Sequence, residues 1–273
     1  MSTGSTAVVT GAFGFTSRRV AELLLEAGRR VRTLTGHPAP TAPFADEVEI
    51  RPYNFDDPAA LVASLEGADV LYNTYWVRCP AQGVTFDEAV ENSRTLVEAA
   101  EAAGVRRIVQ FSVSNASASD LPYFRGKARV EEIVERSELG HAILRPTLIF
   151  GLGDRLVNDL AWFLRRSPVF PVFGDGSYRV RPVHVDDVAE LAVDLGGGDG
   201  ELTIDVAGPE SFTFEAFLGH LADGLGVDRR LVHLPPRIAY FGARAAGFAL
   251  RDVVLTRDEV RALVNGLLDV DEP

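Results

Sequence analysis

Short apolar runs alternate with stretches of helical periodicity along the first half of the chain. Ala7-Val8-Val9-Thr10 reads as an apolar strand running into a glycine turn. Positions 17–27 then place Val20, Leu23, Leu24 and Ala27 on one helical face, with Gly28 as a natural C-cap. The strand pattern recurs at 31–35, 48–52, 70–72, 107–113 and 141–145. Helices are predicted at 58–65, where Pro58 follows Asp56-Asp57, at 86–103, closed by Gly104, and at 122–137. Strands separated by helices of this length predict βαβ units and a parallel, doubly wound sheet. After Gly151 the regularity loosens, with further sheet and helix expected over 179–183, 185–194 and 202–206. Gly196-Gly197-Gly198-Asp199-Gly200 reads as a flexible connection, and the apolar stretch 235–250 as a packed helix, with a homodimer face or membrane-surface helix as alternatives. The fold class is therefore α/β, with a Rossmann-type core over 1–150, completed by about 178–206. A small C-terminal substrate-binding lobe is expected over 151–177 and 207–273.

The first strand-to-helix turn, Gly11-Ala12-Phe13-Gly14-Phe15-Thr16-Ser17, has the chemistry of a pyrophosphate site. Glycines let backbone approach phosphate, and the helix start offers its amides. Gly11 and Gly14 take the first two glycine positions, and Ser17 replaces the third. An NAD site usually carries a carboxylate at the end of the second strand. Here the chain reads Thr33-Leu34-Thr35-Gly36-His37, while Arg18 is well placed for a 2′-phosphate, with His37 or Arg32 assisting. NADP is favoured, and NAD is the alternative.

Tyr123-Phe124-Arg125-Gly126-Lys127 opens a predicted helix, so the phenol and the ammonium share a face. A free tyrosine titrates near 10, and a neighbouring cation lowers that value. The phenol can then exchange a proton with a substrate oxygen while hydride moves. Of 27 basic residues, Lys127 alone is lysine, in a chain that otherwise uses arginine throughout.

With these motifs the chain resembles the short-chain dehydrogenase/reductase superfamily, in its extended and atypical branches, over most of its length. Thr10 to Phe15 is similar to the TGxxGF opening, and Asn54-Phe55-Asp56-Asp57 to the segment after the third strand, with asparagine at the adenine-contacting position. Asn92 falls at the asparagine of the NxxxTxxLxxAA pattern, and Ser112-Val113-Ser114 ends the fifth strand where the family keeps its serine. Arg145-Pro146-Thr147-Leu148-Ile149-Phe150-Gly151 resembles the segment that lines the nicotinamide. Arg181 to Ala189 resembles the hhHVxDhA signature, with Asp186 expected to cap a helix. Asp205 to Glu210 is similar to segments of NmrA-like and complex I accessory-subunit members.

The resemblance implies that Tyr123 is the acid/base and Lys127 its charge partner and ribose ligand. Ser114 would hold the substrate oxygen, and Asn92 would support the proton relay. Cofactor contacts are implied for Gly11, Phe13, Gly14, Phe15, Arg18, His37, Asn54, Phe55, Ser112, Pro146, Thr147 and Ile149. Asn73, Thr74 and Tyr75, within Tyr72 to Trp76, are expected to border the cofactor; the aromatics there either wall the substrate or pack the core. Ser114 lies nine positions before Tyr123, closer than the family's usual spacing. The implied activity is NAD(P)-dependent hydride transfer to or from a small carbonyl or alcohol. The alternatives are an epimerase or dehydratase using bound NAD, and a non-catalytic NADP-binding sensor or accessory protein.

Composition narrows the picture further. A net charge of −12 argues against a nucleic-acid partner. No apolar run is long enough for a membrane span, and the opening residues lack the pattern of a signal peptide. The one cysteine, Cys79, forms no internal disulfide, so the chain reads as cytoplasmic. His37, His141, His184, His220 and His233 show no metal-ligand spacing, and no metal is expected.

Overall fold

The computed structural model of the chain describes residues 5–36, 42–80, 83–235 and 256–270. Its first half runs β1 (Thr6–Thr10), α1 (Phe15–Glu26), β2 (Arg30–Leu34), β3 (Val48–Arg51), α2 (Pro58–Leu65) and β4 (Ala68–Asn73). Next come α3 (Phe86–Ala102), β5 (Arg107–Phe111), α4 (Pro122–Glu135) and β6 (Gly140–Pro146). The second half continues with β7 (Leu148–Phe150), α5 (Leu156–Arg166), β8 (Val169–Phe173), β9 (Arg179–Val180), β10 (Pro182–His184), α6 (Val185–Gly196) and β11 (Leu202–Val206). It ends with β12 (Phe212–Thr213), α7 (Phe214–Gly224), β13 (Arg230–Leu234) and α8 (Arg257–Val264). Among the described residues no helix is long and apolar enough to cross a membrane.

The chain divides into two compact units, Met1–Pro146 with Val185–Asp205, and Thr147–His184 with Val206–Pro273. The first is the predicted Rossmann-type unit. Its sheet has seven strands among the described residues, in the order β11-β6-β5-β4-β1-β2-β3, and β6, β5, β4, β1, β2 and β3 pair in parallel. The chain lays down β1, β2 and β3 towards one edge, then crosses back to place β4 on the other side of β1. Ligands in such sheets bind at this reversal, beyond the carboxyl ends of the strands. Val8, Leu34, Leu71, Ile108 and Ile143 from the sheet pack with Leu61, Leu65 and Leu96 from α2 and α3, all essentially removed from solvent. Each such side chain contributes on the order of 1.5–3 kcal/mol.

Two expectations change. The single strand expected over 179–183 is divided at Arg181, whose N–H donates to Leu268 O (2.9 Å) and whose Nε donates to Asp269 (2.8 Å). Pro182, which has no N–H, opens β10 beside β7, whereas β9 pairs antiparallel with β12. Both β9 and β10 belong to the second unit, so α6 and most of β11 alone complete the first. The glycine-rich connection is tied down rather than loose. Arg106 donates to Gly196 O and Gly198 O (both 3.0 Å), and the buried Arg107 to Leu195 O (2.7 Å).

The second unit has its own core, built on Leu160, Leu164, Phe170, Val172, Phe214, Phe217 and Leu218. The helix expected over 235–250 falls, apart from Pro235, outside the described residues.

Candidate functional site

β1 feeds Gly11, whose φ of +61° lies in the left-handed region that favours glycine. Gly11 N–H donates to Leu34 O (2.8 Å), Gly14 N–H donates to Gly11 O (2.8 Å), and Ala12 N–H donates to Thr33 Oγ1 (3.0 Å). The Ser17 hydroxyl donates to Gly11 O, so the residue in the third glycine position closes the turn. Gly14 stands at the N-cap of α1, where no side chain caps the helix and no acid occupies the first turn. Other helices carry side-chain caps: Asp57 accepts from Ala60 N–H on α2, and Thr85 and Glu88 form a capping box on α3, whereas the N-cap residues of α4 and α5, like that of α1, make no such bond. The start of α1 therefore keeps its amides and its positive dipole end for an anion.

Arg18 is exposed in the first turn of α1, with Nε on Glu22 (2.9 Å). Arg32 is not available to assist it. Its mid-strand position sends the guanidinium to Glu49 (2.8 Å) and to the carbonyls at the end of α2, Ser64 O (2.9 Å) and Glu66 O (3.0 Å). His37 lies outside the described residues. Asp186 sits inside the first turn of α6 and pairs with Arg19 (2.9 Å), joining α6 to α1.

An aromatic wall stands beside the glycine turn. A Cβ on Gly11 would lie 3.6 Å from the Tyr53 hydroxyl. Tyr53 stacks on Phe55 (5.0 Å), and both meet Tyr75 (5.1 and 4.9 Å between centroids). Asn54 turns the chain between the two rings with φ +48°, a conformation asparagine tolerates. Asn92 donates to the Tyr75 hydroxyl (2.8 Å), which places it in this wall. Phe13 stacks on Phe44 (5.8 Å), and Phe15 begins α1.

A buried polar chain then crosses the strand ends. The Thr10 hydroxyl accepts from Thr74 N–H (2.7 Å) and donates to Asn73 Oδ1 (3.2 Å), and Thr74 Oγ1 donates to Thr10 O (2.6 Å). Asn73 Oδ1 also accepts from Tyr75 N–H (3.1 Å), and Nδ2 donates to Gln110 Oε1 (2.7 Å). Gln110 Nε2 donates to Phe111 O (3.0 Å), the same carbonyl that accepts from Lys127 Nζ (2.8 Å). The Asn73 side chain is thus wholly inside the sheet, orienting its neighbours.

Lys127 is almost completely buried, and desolvation lowers its pKa to about 7, against the opposing pull of Glu131. Its ammonium lies 5.0 Å from the centre of the Trp76 ring. The indole rests on Gly126, where a Cβ would come within 2.7 Å of the ring. Trp76 stacks on Phe86 (6.0 Å), and both present edge-to-face contacts to Tyr123 at 6.0 Å. Phe86 opens α3, so the capping box at Thr85 fixes one wall of the tyrosine's surroundings.

Beyond β5, Ser112 N–H donates to Leu144 O (2.7 Å) and Ser114 N–H to Pro146 O (3.0 Å), carrying both buried serines along β6. Asn115 at φ +57° and a 3₁₀ turn over Ala116–Ala118 make the short connection from Ser114 towards α4. Thr147 and Ile149 belong to the second unit. There the Thr147 hydroxyl donates to Arg181 O, and Ile149 pairs with Val183. Tyr53, Phe86, Gln110 and Asn115 complete this region without a sequence motif of their own. Only Thr85-x-x-Glu88 announces itself, as a helix-start signature.

Comparison with known proteins adds a decisive observation, because the profile of an NAD(P)H-binding family matches residues 11–155, beginning on the glycine turn. The chain belongs to this NAD(P)H-binding family. The chain is 30% identical to the ceramide reductase of Caulobacter vibrioides over 86% of this chain and 75% of that protein. It is 27% identical to the mitochondrial NADH dehydrogenase [ubiquinone] 1 alpha subcomplex subunit 9 of Arabidopsis thaliana, over 98% of this chain and 72% of that one. The fold matches that of an NADPH-dependent quinone oxidoreductase from Escherichia coli solved with NADPH, at a TM-score of 0.78 and 20% identity, over 97% and 92% of the two chains. The short-chain dehydrogenase/reductase resemblance read from the motifs holds.

The residues of this NAD(P)H-binding chain fit a dinucleotide. The uncapped α1 start suits the pyrophosphate, and Ser112 Oγ and Trp76 Nε1 are buried without a hydrogen-bond partner among the described residues. Buried polar atoms are nearly always paired, so these two have bonding capacity that a ligand at this place can take up. Among the described residues no three His, Cys, Asp or Glu side chains converge as a metal site.

Proposed function

We propose that the chain is an NAD(P)-dependent oxidoreductase, exchanging hydride with a small carbonyl or alcohol substrate, with Tyr123 as acid/base and Lys127 as its charge partner. The observation that carries this reading is the buried ammonium of Lys127, fixed on Phe111 O one helical turn from Tyr123. A cation held in so dry a place acts strongly on a nearby phenol, because little water screens it. In the reductive direction Tyr123 donates its proton to the substrate oxygen, and the Lys127 ammonium stabilises the phenolate left behind. Ser114 holds the substrate oxygen in place. Bound NAD(P) supplies or accepts the hydride.

The turn at Gly11 and the start of α1 hold the pyrophosphate, Lys127 and Ser112 face the ribose, and the wall of Tyr53, Phe55 and Tyr75 lines the adenosine side. Arg18 is assigned to the 2′-phosphate of NADP, and the second unit to substrate selection. A non-catalytic dinucleotide-binding protein is the second reading. It is favoured by Trp76, whose ring lies on the helix face between Tyr123 and Lys127.

The test is turnover of a panel of ketones and alcohols with NADPH and NADH, for wild type and Tyr123→Phe. The expected result is a loss of about 10²–10⁴-fold in kcat, with dinucleotide Kd within about twofold of wild type. Binding of either dinucleotide with no turnover by wild type would decide for the non-catalytic reading.

A further inference from the structure

The side of α4 that carries Tyr123 and Lys127 continues one turn further to Glu131, and that residue is as buried as the lysine, at 3% exposure. A carboxylate in such a place costs several kcal/mol of desolvation unless it is paired. Its partner comes from the neighbouring strand: Arg145, on β6, donates through Nε to Glu131 Oε1 (3.0 Å) and through Nη2 to Oε2 (2.6 Å). This two-pronged geometry satisfies both carboxylate oxygens and prevents the group from rotating. Asp205, on β11, has its Oδ1 buried without a hydrogen-bond partner among the described residues and interacts electrostatically with Arg145 and Glu131, and Glu135, on α4, also acts on Arg145. The charges around Arg145 are therefore acidic in excess. Around Lys127 itself stand Phe111 O from β5, the Trp76 ring from beyond β4, and Tyr123 and Glu131 from α4. Glu131 is the carboxylate that acts on it. The acids of α3 that meet α4, Asp87 and Glu91, are taken by Arg129 on its exposed side.

We propose that Glu131, clamped by Arg145, is a positioning residue that lets the buried Lys127 side chain hold its proton to a higher pH than burial alone would allow. The proposal rests on the Tyr123–Lys127 reading for its purpose: with Glu131 neutral, Lys127 gives up its proton at a lower pH and ceases to act as a cation toward Tyr123. The structural claim, that one carboxylate sets the charge of one amine, is measurable without any substrate.

Lys127 is the one lysine of the chain, so protein labelled with ¹³Cε-lysine gives a single side-chain NMR resonance whose shift reports that amine alone. Titration of wild type, Glu131→Gln and Glu131→Asp is the test. The expected midpoint for Glu131→Gln lies about one pH unit below wild type, while Glu131→Asp, which keeps the charge, stays within about 0.3 of wild type by the same reasoning. If Glu131→Gln does not fold, the double variant Glu131→Gln/Arg145→Met removes the charge with its partner. A smaller fall in the same direction is expected there. A midpoint unchanged by loss of the carboxylate overturns the proposal. A midpoint that falls as expected, in a protein that turns over no carbonyl or alcohol, upholds the Glu131 assignment while the oxidoreductase reading fails.

Discussion

The glycine-turn end and the Tyr123 corner of the first unit lie over the same strand ends but are built on opposite terms. At the glycine turn the polar side chains of Thr10, Ser17, Asn73 and Thr74 are bonded to one another, to the backbone or to Gln110. At the Tyr123 corner a lysine is stripped of water, Trp76 lies against the α4 backbone at Gly126, and Ser112 Oγ and Trp76 Nε1 lack hydrogen-bond partners among the described residues. A frame that must hold one shape is satisfied internally. A place that must receive something retains unspent bonding capacity, at a cost in stability.

The sharpest way to break that contrast is Lys127→Met. The folded-state pKa of Lys127 is about 7 against an ordinary lysine value of 10.5, so the unfolded chain binds its proton more tightly. The penalty is present in full below about pH 7 and fades as pH rises towards 10.5. Lys127→Met is expected to gain on the order of a few kcal/mol in urea unfolding at pH 7. Wild type should close that gap as pH rises to 10. Equal stabilities across this range would mean the corner carries no such cost.

Thr10→Val tests the opposite end. It keeps the shape but strands Thr74 N–H and leaves Asn73 Oδ1 with Tyr75 N–H alone, and a loss of about 1–3 kcal/mol is expected by denaturant unfolding. A loss well under that range would show that the polar chain is dispensable. Gly126→Ala has the smallest effect: the new methyl displaces the Trp76 ring tip at a cost of about 1 kcal/mol. A shift in the Trp76 emission, recorded in a Trp162→Phe background, reports the displacement. No change in emission would show that the ring does not rest on Gly126.

Much of this was legible along the chain. Helix α2 begins and ends where Pro58 and Leu65 predict, and β11 matches its predicted run, because both are set by local signals. Gly11, Gly14, Tyr123 and Lys127 could be named because the spacing of residues along one turn or one helix face is itself the geometry. Arg32 could not be assigned correctly, since only the packed neighbours show that the carbonyls of α2 compete for it. The same holds for Asn92, drawn to Tyr75, and for the strand divided at Arg181, where partners more than 80 positions away take the backbone and the side chain.

The sequence by itself determined the alternation of strands and helices, the glycine turn and the Tyr–Lys spacing, since each depends on chain periodicity and backbone preference over a few residues. Only the tertiary structure decided that Lys127 is dry, that Trp76 lies across it and that Glu131 is locked by Arg145. Burial and charge depend on which segments pack together, and desolvation acts through neighbours that lie far apart along the chain.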